Sequence, residues 1–252
     1  MQPKEAVRFD LQGASAIFKK PDVNTTYFTY NNIHRIALLG MLGGIMGLKG
    51  YTHSDKAAVY PEFYEKLQGL GICVVPRASK GYFPKKIQVF NNSVGYASFE
   101  EGGNLVVKEQ WLENPRWTIY IADTEGAAEE YERLKKLLLQ GECVYTPYLG
   151  KNDHPTHISN CKVVELKRVE PGGNGKVHLG CLFPSDIGEL DRFETWSGKE
   201  LGFIFREKAP YRMKENHNFY EFREFTYTDY YLLTVDGLHK IFNDGERNMV
   251  FY

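Results

Sequence analysis

The segment from Arg77 to Lys86 carries Arg77, Lys80, Lys85 and Lys86 and no acidic residue. Grouped ammonium and guanidinium ions hold phosphates, and Asn91 and Asn92, just beyond, offer amides to phosphates or base edges. Lys108, Trp111 and Arg116 follow, and an indole can stack on a splayed base. Arg77, Lys80, Lys85, Lys86, Asn91, Asn92 and Lys108 could thus form a local RNA-binding patch. Taken alone, such a charge cluster is more often a solvated face. His34, with Tyr27, Tyr30, Lys85 and Lys86, could instead make a metal-independent ribonuclease site. The imidazole would move a proton and the ammonium would stabilise charge building on the phosphate. The plainer reading places His34 near a helix start, in contact with backbone or RNA and without chemistry. His154 and His157 form an H-x-x-H pattern beside Asp153, but Pro155 breaks any helix that would align the two rings. A turn is expected there, with no metal and no cofactor. No G-x-S-x-G, H-E-x-x-H, P-loop or kinase signature is present.

The elements that must position these groups follow from hydrophobic period and punctuation. Ala6 to Phe18 alternates, with Val7, Phe9 and Leu11 on one side and Arg8, Asp10 and Gln12 on the other, as a strand with one buried face does. A polar, Tyr-rich link, TTYFTYNN, leads to a helix over Ile33 to Leu48, with Asn31 or Asn32 as its expected cap. Gly40, Gly43, Gly44 and Gly47 lie in that helix, each at a cost of about 0.5–1 kcal/mol against Ala. Their spacing makes a smooth stripe, so a close approach is expected on that face. A dinucleotide loop needs G-x-G-x-x-G directly after a strand, and this pattern differs. Further elements are a short helix (Glu62 to Gln68), strands at Gly71 to Val75, Ile87 to Phe90 and Trp117 to Ile121, and a projecting Gly-rich loop from Asn91 to Asn104 that returns along Leu105 to Val107. Gly126 to Gln140 is the clearest helix, stopped by Gly141. Val163 to Val169 and Lys176 to Cys181 read as strands joined by a Gly172-Gly173-Asn174-Gly175 hairpin turn, and Arg206 to Tyr252 as strands and loops. The order strand, helix, two strands, helix, strand is that of a split β-α-β, ferredoxin-like domain of the kind RNA-recognition modules use, an α+β fold.

The chain has 252 residues, enough for one core with a sizeable appended segment. Its net charge of -1 excludes a generally basic nucleic-acid coat, so any RNA site must be local. Tyr and Phe, 17 and 16 residues, are abundant, which suits protein interfaces. None of the four cysteines sits in a C-x-x-C pair, and the start MQPKEAVRF shows no secretory pattern, so reduced thiols in a cytoplasm are expected. The longest apolar run, Ala37 to Leu48, is shorter than the roughly 20 residues a membrane helix needs.

Four stretches resemble one family. VRFDLQGASAIFKKPDVNTTYFTYNNIHRIALLGMLGGIMGLKGY looks like the start of Cas-five subunits of type I CRISPR Cascade complexes: a strand, a polar link, then a Gly-rich helix. KKIQVFNNSVG and QWLENPRWTIYI resemble the strands that flank the family's thumb, and PYLGKNDHPTHI resembles its P-x-L-G motif. The resemblance covers Ala6 to Val169, and length and the Tyr-rich link are most similar to the I-B variety. It implies a RAMP-superfamily, RNA-recognition-like domain over 1–169 with a β-hairpin thumb near 91–110, and a β-rich extension over 170–252. It also implies a non-catalytic subunit that caps the 5′ handle of CRISPR RNA and contacts the Cas-seven backbone and Cas-eight large subunits, close to target DNA at the PAM-proximal end. The stripe from Gly40 to Gly47 would let RNA or sheet approach, and Arg35, Arg77, Lys80, Lys85, Lys86, Asn91, Asn92 and Lys108 are then the expected RNA surface. In the I-C variety the same family cuts repeat RNA with a Tyr, a Lys and a His, which keeps the ribonuclease alternative open.

Overall fold

The computed structural model describes residues 3–22, 25–53, 55, 57–169, 175–215, 219–233 and 240–252. In chain order the elements are β1 (Glu5–Gln12), β2 (Ser15–Ala16), α1 (Arg35–Met46), α2 (Glu62–Leu67), β3 (Leu70–Pro76), β4 (Lys85–Asn91), β5 (Val106–Glu113), β6 (Arg116–Asp123), α3 (Ala128–Gln140), β7 (His157–Glu165), β8 (Lys167–Val169), β9 (Lys176–Val177), β10 (Phe183–Pro184), β11 (Glu189–Thr195), β12 (Ile204–Met213), β13 (Tyr220–Thr228), β14 (Tyr230–Leu233), β15 (Ile241–Asn243) and β16 (Asn248–Val250). Strands dominate, and they pair antiparallel in several small sheets. The expected strand over Lys176 to Cys181 shortens to β9, since only Lys176 and Val177 find ladder partners, on β14, while Leu179 and Cys181 are buried beyond it. Gly172 to Asn174 of the expected hairpin turn lie outside the described residues.

The central sheet has the spatial order β3-β6-β1-β7, every neighbour antiparallel. α1 lies in the chain between β1 and β3, and α3 between β6 and β7. Alternation along each strand sends side chains to opposite faces, and both faces find apolar cover. On one, Val7, Phe9, Leu11, Ile72, Val74, Trp117, Ile119 and Ile121 share a core with Leu38, Leu42 and Ile45 of α1 and Leu134 and Leu138 of α3. On the other, Ala6, Cys73, Val75, Tyr120 and Ala122 pack with Leu179, Cys181, Phe183, Phe242 and Met249. Tyr252 exchanges both backbone hydrogen bonds with Ile72, at 3.0 Å each, along the outer edge of β3.

Both long helices start differently from what local chemistry predicts. α1 is capped by His34, whose Nδ1 accepts from the Ala37 N–H at 3.2 Å, and not by Asn31 or Asn32. Those two amides are turned away: both donate to the Gly81 carbonyl, Asn31 Oδ1 accepts from Phe83 N–H, and Asn32 Oδ1 accepts from Trp117 Nε1. α3 starts two residues later than expected, because Asp123 Oδ1 takes the N–H groups of Gly126 and Ala127. It ends on Gly141 in the left-handed conformation, as its sequence requires.

The glycine stripe of α1 is used inside the molecule. A Cβ on Gly43 would lie 2.6 Å from Phe63 Cβ, so α2 packs directly on that position. Gly40 also faces Phe63, and Gly47 ends the helix beside Val144; Gly44 has open space. The close approach expected there is that of a helix and a connecting segment.

Candidate nucleic-acid interface

β4 and β5 form a long hairpin whose tip spans residues 92–105. Its base is tied to the domain by β2, through the pairs Ser15–Glu113 and Ala16–Leu112, and by Tyr27, which exchanges backbone bonds with Lys108 and Gln110. The tip carries Tyr96 and Phe99 at 79% and 91% exposure, well beyond what a packed turn would show.

Antiparallel register separates the two adjacent lysines. Lys85 pairs with Leu112, so it shares a face with Ile87, Val89, Lys108 and Gln110. Lys86 pairs with Trp111 and shares the opposite face with Gln88 and Glu109. Lys86 lies 5.9 Å from the Trp111 ring centre and 3.8 Å from the Glu113 carboxylate, both groups on its own face. Lys85 lies 5.5 Å from the Tyr82 ring, and burial lowers its pKa against the pull of Glu207. Glu207 is the hub of that corner. It accepts from the Asn31 N–H at 2.9 and 3.0 Å and sits 3.8 Å from Lys20, while burial raises its pKa. Neither Lys20 nor Glu207 stood out in the sequence; only proximity in the fold gives them a shared site.

Arg77, Lys80, Asn91, Asn92 and Lys108 are exposed, Lys80 with a left-handed backbone (φ 58°) in a single turn. Asn91 also shapes the tip, since its Oδ1 accepts from Ser93 N–H and its amide donates to Asn104. Arg35 departs from expectation. It is 6% exposed, and its guanidinium donates to the carbonyls of Gln68, Leu70, Tyr211 and Tyr252. Its donors face inward, so it braces the fold and does not offer its charge to a ligand.

The proposed ribonuclease set is only half assembled. Tyr30 and His34 meet edge to face at 5.2 Å, and Phe18 and Tyr220 complete the ring around the imidazole. Burial drives the His34 pKa down to about 3 and raises that of Tyr30 above the phenol range. A neutral imidazole that accepts from the Ala37 N–H has one nitrogen already engaged. Lys86 stands on the hairpin face opposite Lys85 and engages Trp111 and Glu113.

His154 and His157 also part company. His154 is fully buried, with Nδ1 2.6 Å from Ser15 Oγ and its ring edge-on to Trp111 at 4.6 Å; His157 is exposed on β7. The tight turn covers residues 149–154, closed by Leu149 N–H to the His154 carbonyl, and the chain from Pro155 runs on into β7. Gly150 there has φ 92°, and a Cβ would sit 1.7 Å from the Ile17 carbonyl oxygen. Among the described residues no three His, Cys, Asp or Glu side chains gather as a metal set, and no helix is long and apolar enough to cross a membrane.

No protein-family model and no curated protein matches the chain. Solved structures do. One described as a CRISPR RNA-guided surveillance complex is 12% identical, with a TM-score of 0.55 over 89% of this chain and 90% of that one. A CRISPR protein from Archaeoglobus fulgidus is 14% identical, with a TM-score of 0.52 over 98% of both chains. At such low identity the likeness is one of fold, and the fold is one that CRISPR-associated proteins use.

Proposed function

We propose that this chain is a non-catalytic RNA-binding subunit of a type I CRISPR Cascade complex, a Cas-five member of the RAMP superfamily most similar to the I-B variety. In this reading a ferredoxin-like domain over 1–169 carries the hairpin as a thumb, and 170–252 is its β-rich extension. The subunit caps the 5′ handle of the guide RNA and meets the Cas-seven and Cas-eight subunits. The observation that carries the reading is the fold shared over nearly the whole length of a surveillance-complex chain, with a projecting hairpin at the place where the basic residues cluster. The sheet order second, third, first, fourth strand of a βαββαβ unit also supports it. Lys85, Lys86, Lys108, Arg77, Lys80, Asn91 and Asn92 remain its RNA surface; Arg35 does not.

The test is binding of labelled repeat RNA by the purified chain in EDTA, beside a handle-scrambled control. Binding that needs the handle, without cleavage, is the expected result. The contact of Tyr30 with His34 favours the ribonuclease alternative, and a discrete product lost in a His34→Asn variant would establish it in place of the capping role.

A further inference from the structure

One row of side chains crosses the entire central sheet. His157 of β7 pairs with Gln12 of β1, Gln12 pairs with Arg116 of β6, and the Arg77 N–H, just beyond β3, donates to the Arg116 carbonyl at 2.9 Å. Directly paired antiparallel residues share a face, so all four project on the same side. The row therefore runs His157, Gln12, Arg116, Arg77, over three interstrand steps of about 4.8 Å, or about 14 Å in all. The apolar cover of this face, with Phe242, Met249 and Cys181, lies over Ala6, Cys73, Tyr120 and Ala122, at the other end of the strands. His157, Arg116 and Arg77 are exposed and Gln12 half-buried.

The two arginines stand opposite each other on neighbouring backbones. Like charges so placed repel, and among the described residues neither has an ion-pair partner. Asp10, one row deeper, is the carboxylate nearest in register. It is held by Thr118 and Asn160 at 2.8 Å each and by Arg8 at 3.9 Å. Burial opposes its ionisation, but those hydrogen bonds and the charges of Arg8 and Arg77 keep its pKa below the usual carboxylate value. Arg8 and Lys162 pair one row deeper still, where Arg8 lies level with Tyr120 under the apolar cover, so the positive charge of the uncovered end is that of Arg77 and Arg116. Gln12, between imidazole and guanidinium, supplies both a donor and an acceptor.

We propose that this row is a backbone-binding strip for single-stranded RNA, continuing the track that begins on the hairpin. The inference rests on the RNA-binding reading above. Continuity carries it: Arg77 opens the segment that holds Lys80 and delivers Lys85 to the hairpin base, and Gln12 leads through Gly13 into β2, which pairs with the foot of β5. A strand lying along the hairpin base meets the row next. Arg77 and Arg116 hold phosphates, and Gln12 and His157 reach 2′-hydroxyls or base edges.

The experiment measures fluorescence anisotropy of the full chain with two single-stranded RNAs of one 5′ sequence, one short and one extended. An Arg77→Gln/Arg116→Gln variant is expected to bind the extended RNA several-fold more weakly, with its salt slope reduced by about 1.4, and the short RNA as the wild type does. A Lys85→Gln/Lys108→Gln variant weakens both. Removing mutual repulsion should leave the row variant's Tm equal to or above that of the wild type, which separates lost contacts from lost fold. A row variant that binds both RNAs with wild-type affinity and slope overturns the inference alone. A wild-type chain that binds neither RNA overturns the RNA-binding reading and this inference with it.

Discussion

His34 shows how one side chain can look like chemistry and serve as structure. It caps α1 through Nδ1 and is ringed by Phe18, Tyr30 and Tyr220. Burial makes its folded pKa, about 3, lower than the unfolded value of about 6.5. A depressed histidine pKa means the unfolded chain binds the extra proton more readily. The stability it contributes is thus complete above about pH 6.5 and is lost as pH falls from there toward 3, by up to about 1.4 kcal/mol per pH unit. Thermal melts of wild type and His34→Asn between pH 7 and pH 5 should show the variant, which keeps a capping acceptor, with the shallower decline. At the hairpin, Lys85→Ala/Lys86→Ala should weaken handle binding and reduce the salt slope by about 1.4, read from anisotropy titrations at several salt concentrations. An unchanged slope would remove the hairpin from the RNA surface. The sequence made the basic residues visible because charge is local. It gave no sign that Arg35 is buried, since that depends on four carbonyls brought together from distant segments.

Among the elements, the glycine-bearing helix offers the sharpest contrast. Gly43→Ala gains about 1 kcal/mol of helix propensity but drives a methyl into Phe63, an overpacking that costs about 1–3 kcal/mol. Gly44→Ala meets open space and should stabilise by about 0.5–1 kcal/mol. Denaturant midpoints of the two variants should therefore move in opposite directions. α3, the hairpin and the strand at Trp117 to Ile121 were legible because period and turn residues agree there. The α1 cap was not, because Asn31 and Asn32 have the right chemistry but are claimed by Gly81, Phe83 and Trp117. The strands after Arg206 gave a weak signal for a related reason: their apolar and polar residues answer to two or more neighbours at once. β13, for instance, pairs with both β10 and β12.

For the molecule as a whole, the sheet has apolar cover on both faces, and the second cover comes largely from residues beyond 175. Truncation after residue 233 would remove Phe242, Met249 and Val250 and uncover Ala6, Cys73, Val75 and Tyr120. Such a chain should bind a hydrophobic dye and elute as aggregate on size exclusion, whereas a chain with the tip 93–104 replaced by a short turn should remain monodisperse. If the truncated chain is also monodisperse, the region beyond 175 is a separable module.

The central position of β1 has a kinetic consequence. Its partners β6 and β7 are distant in the chain: Asp10 and Thr118, which face each other in the sheet, are separated by 108 positions. Until that loop closes, Phe9 and Leu11 have no sheet to join, and both edges of β1 are open to other chains. Loop entropy must be lost before any pairing repays it, which places folding among the slow, non-local topologies. Refolding should be slow and increasingly diverted to aggregate as protein concentration rises, so this chain would depend on chaperones, or on a partner that covers β1, during the interval before β6 arrives.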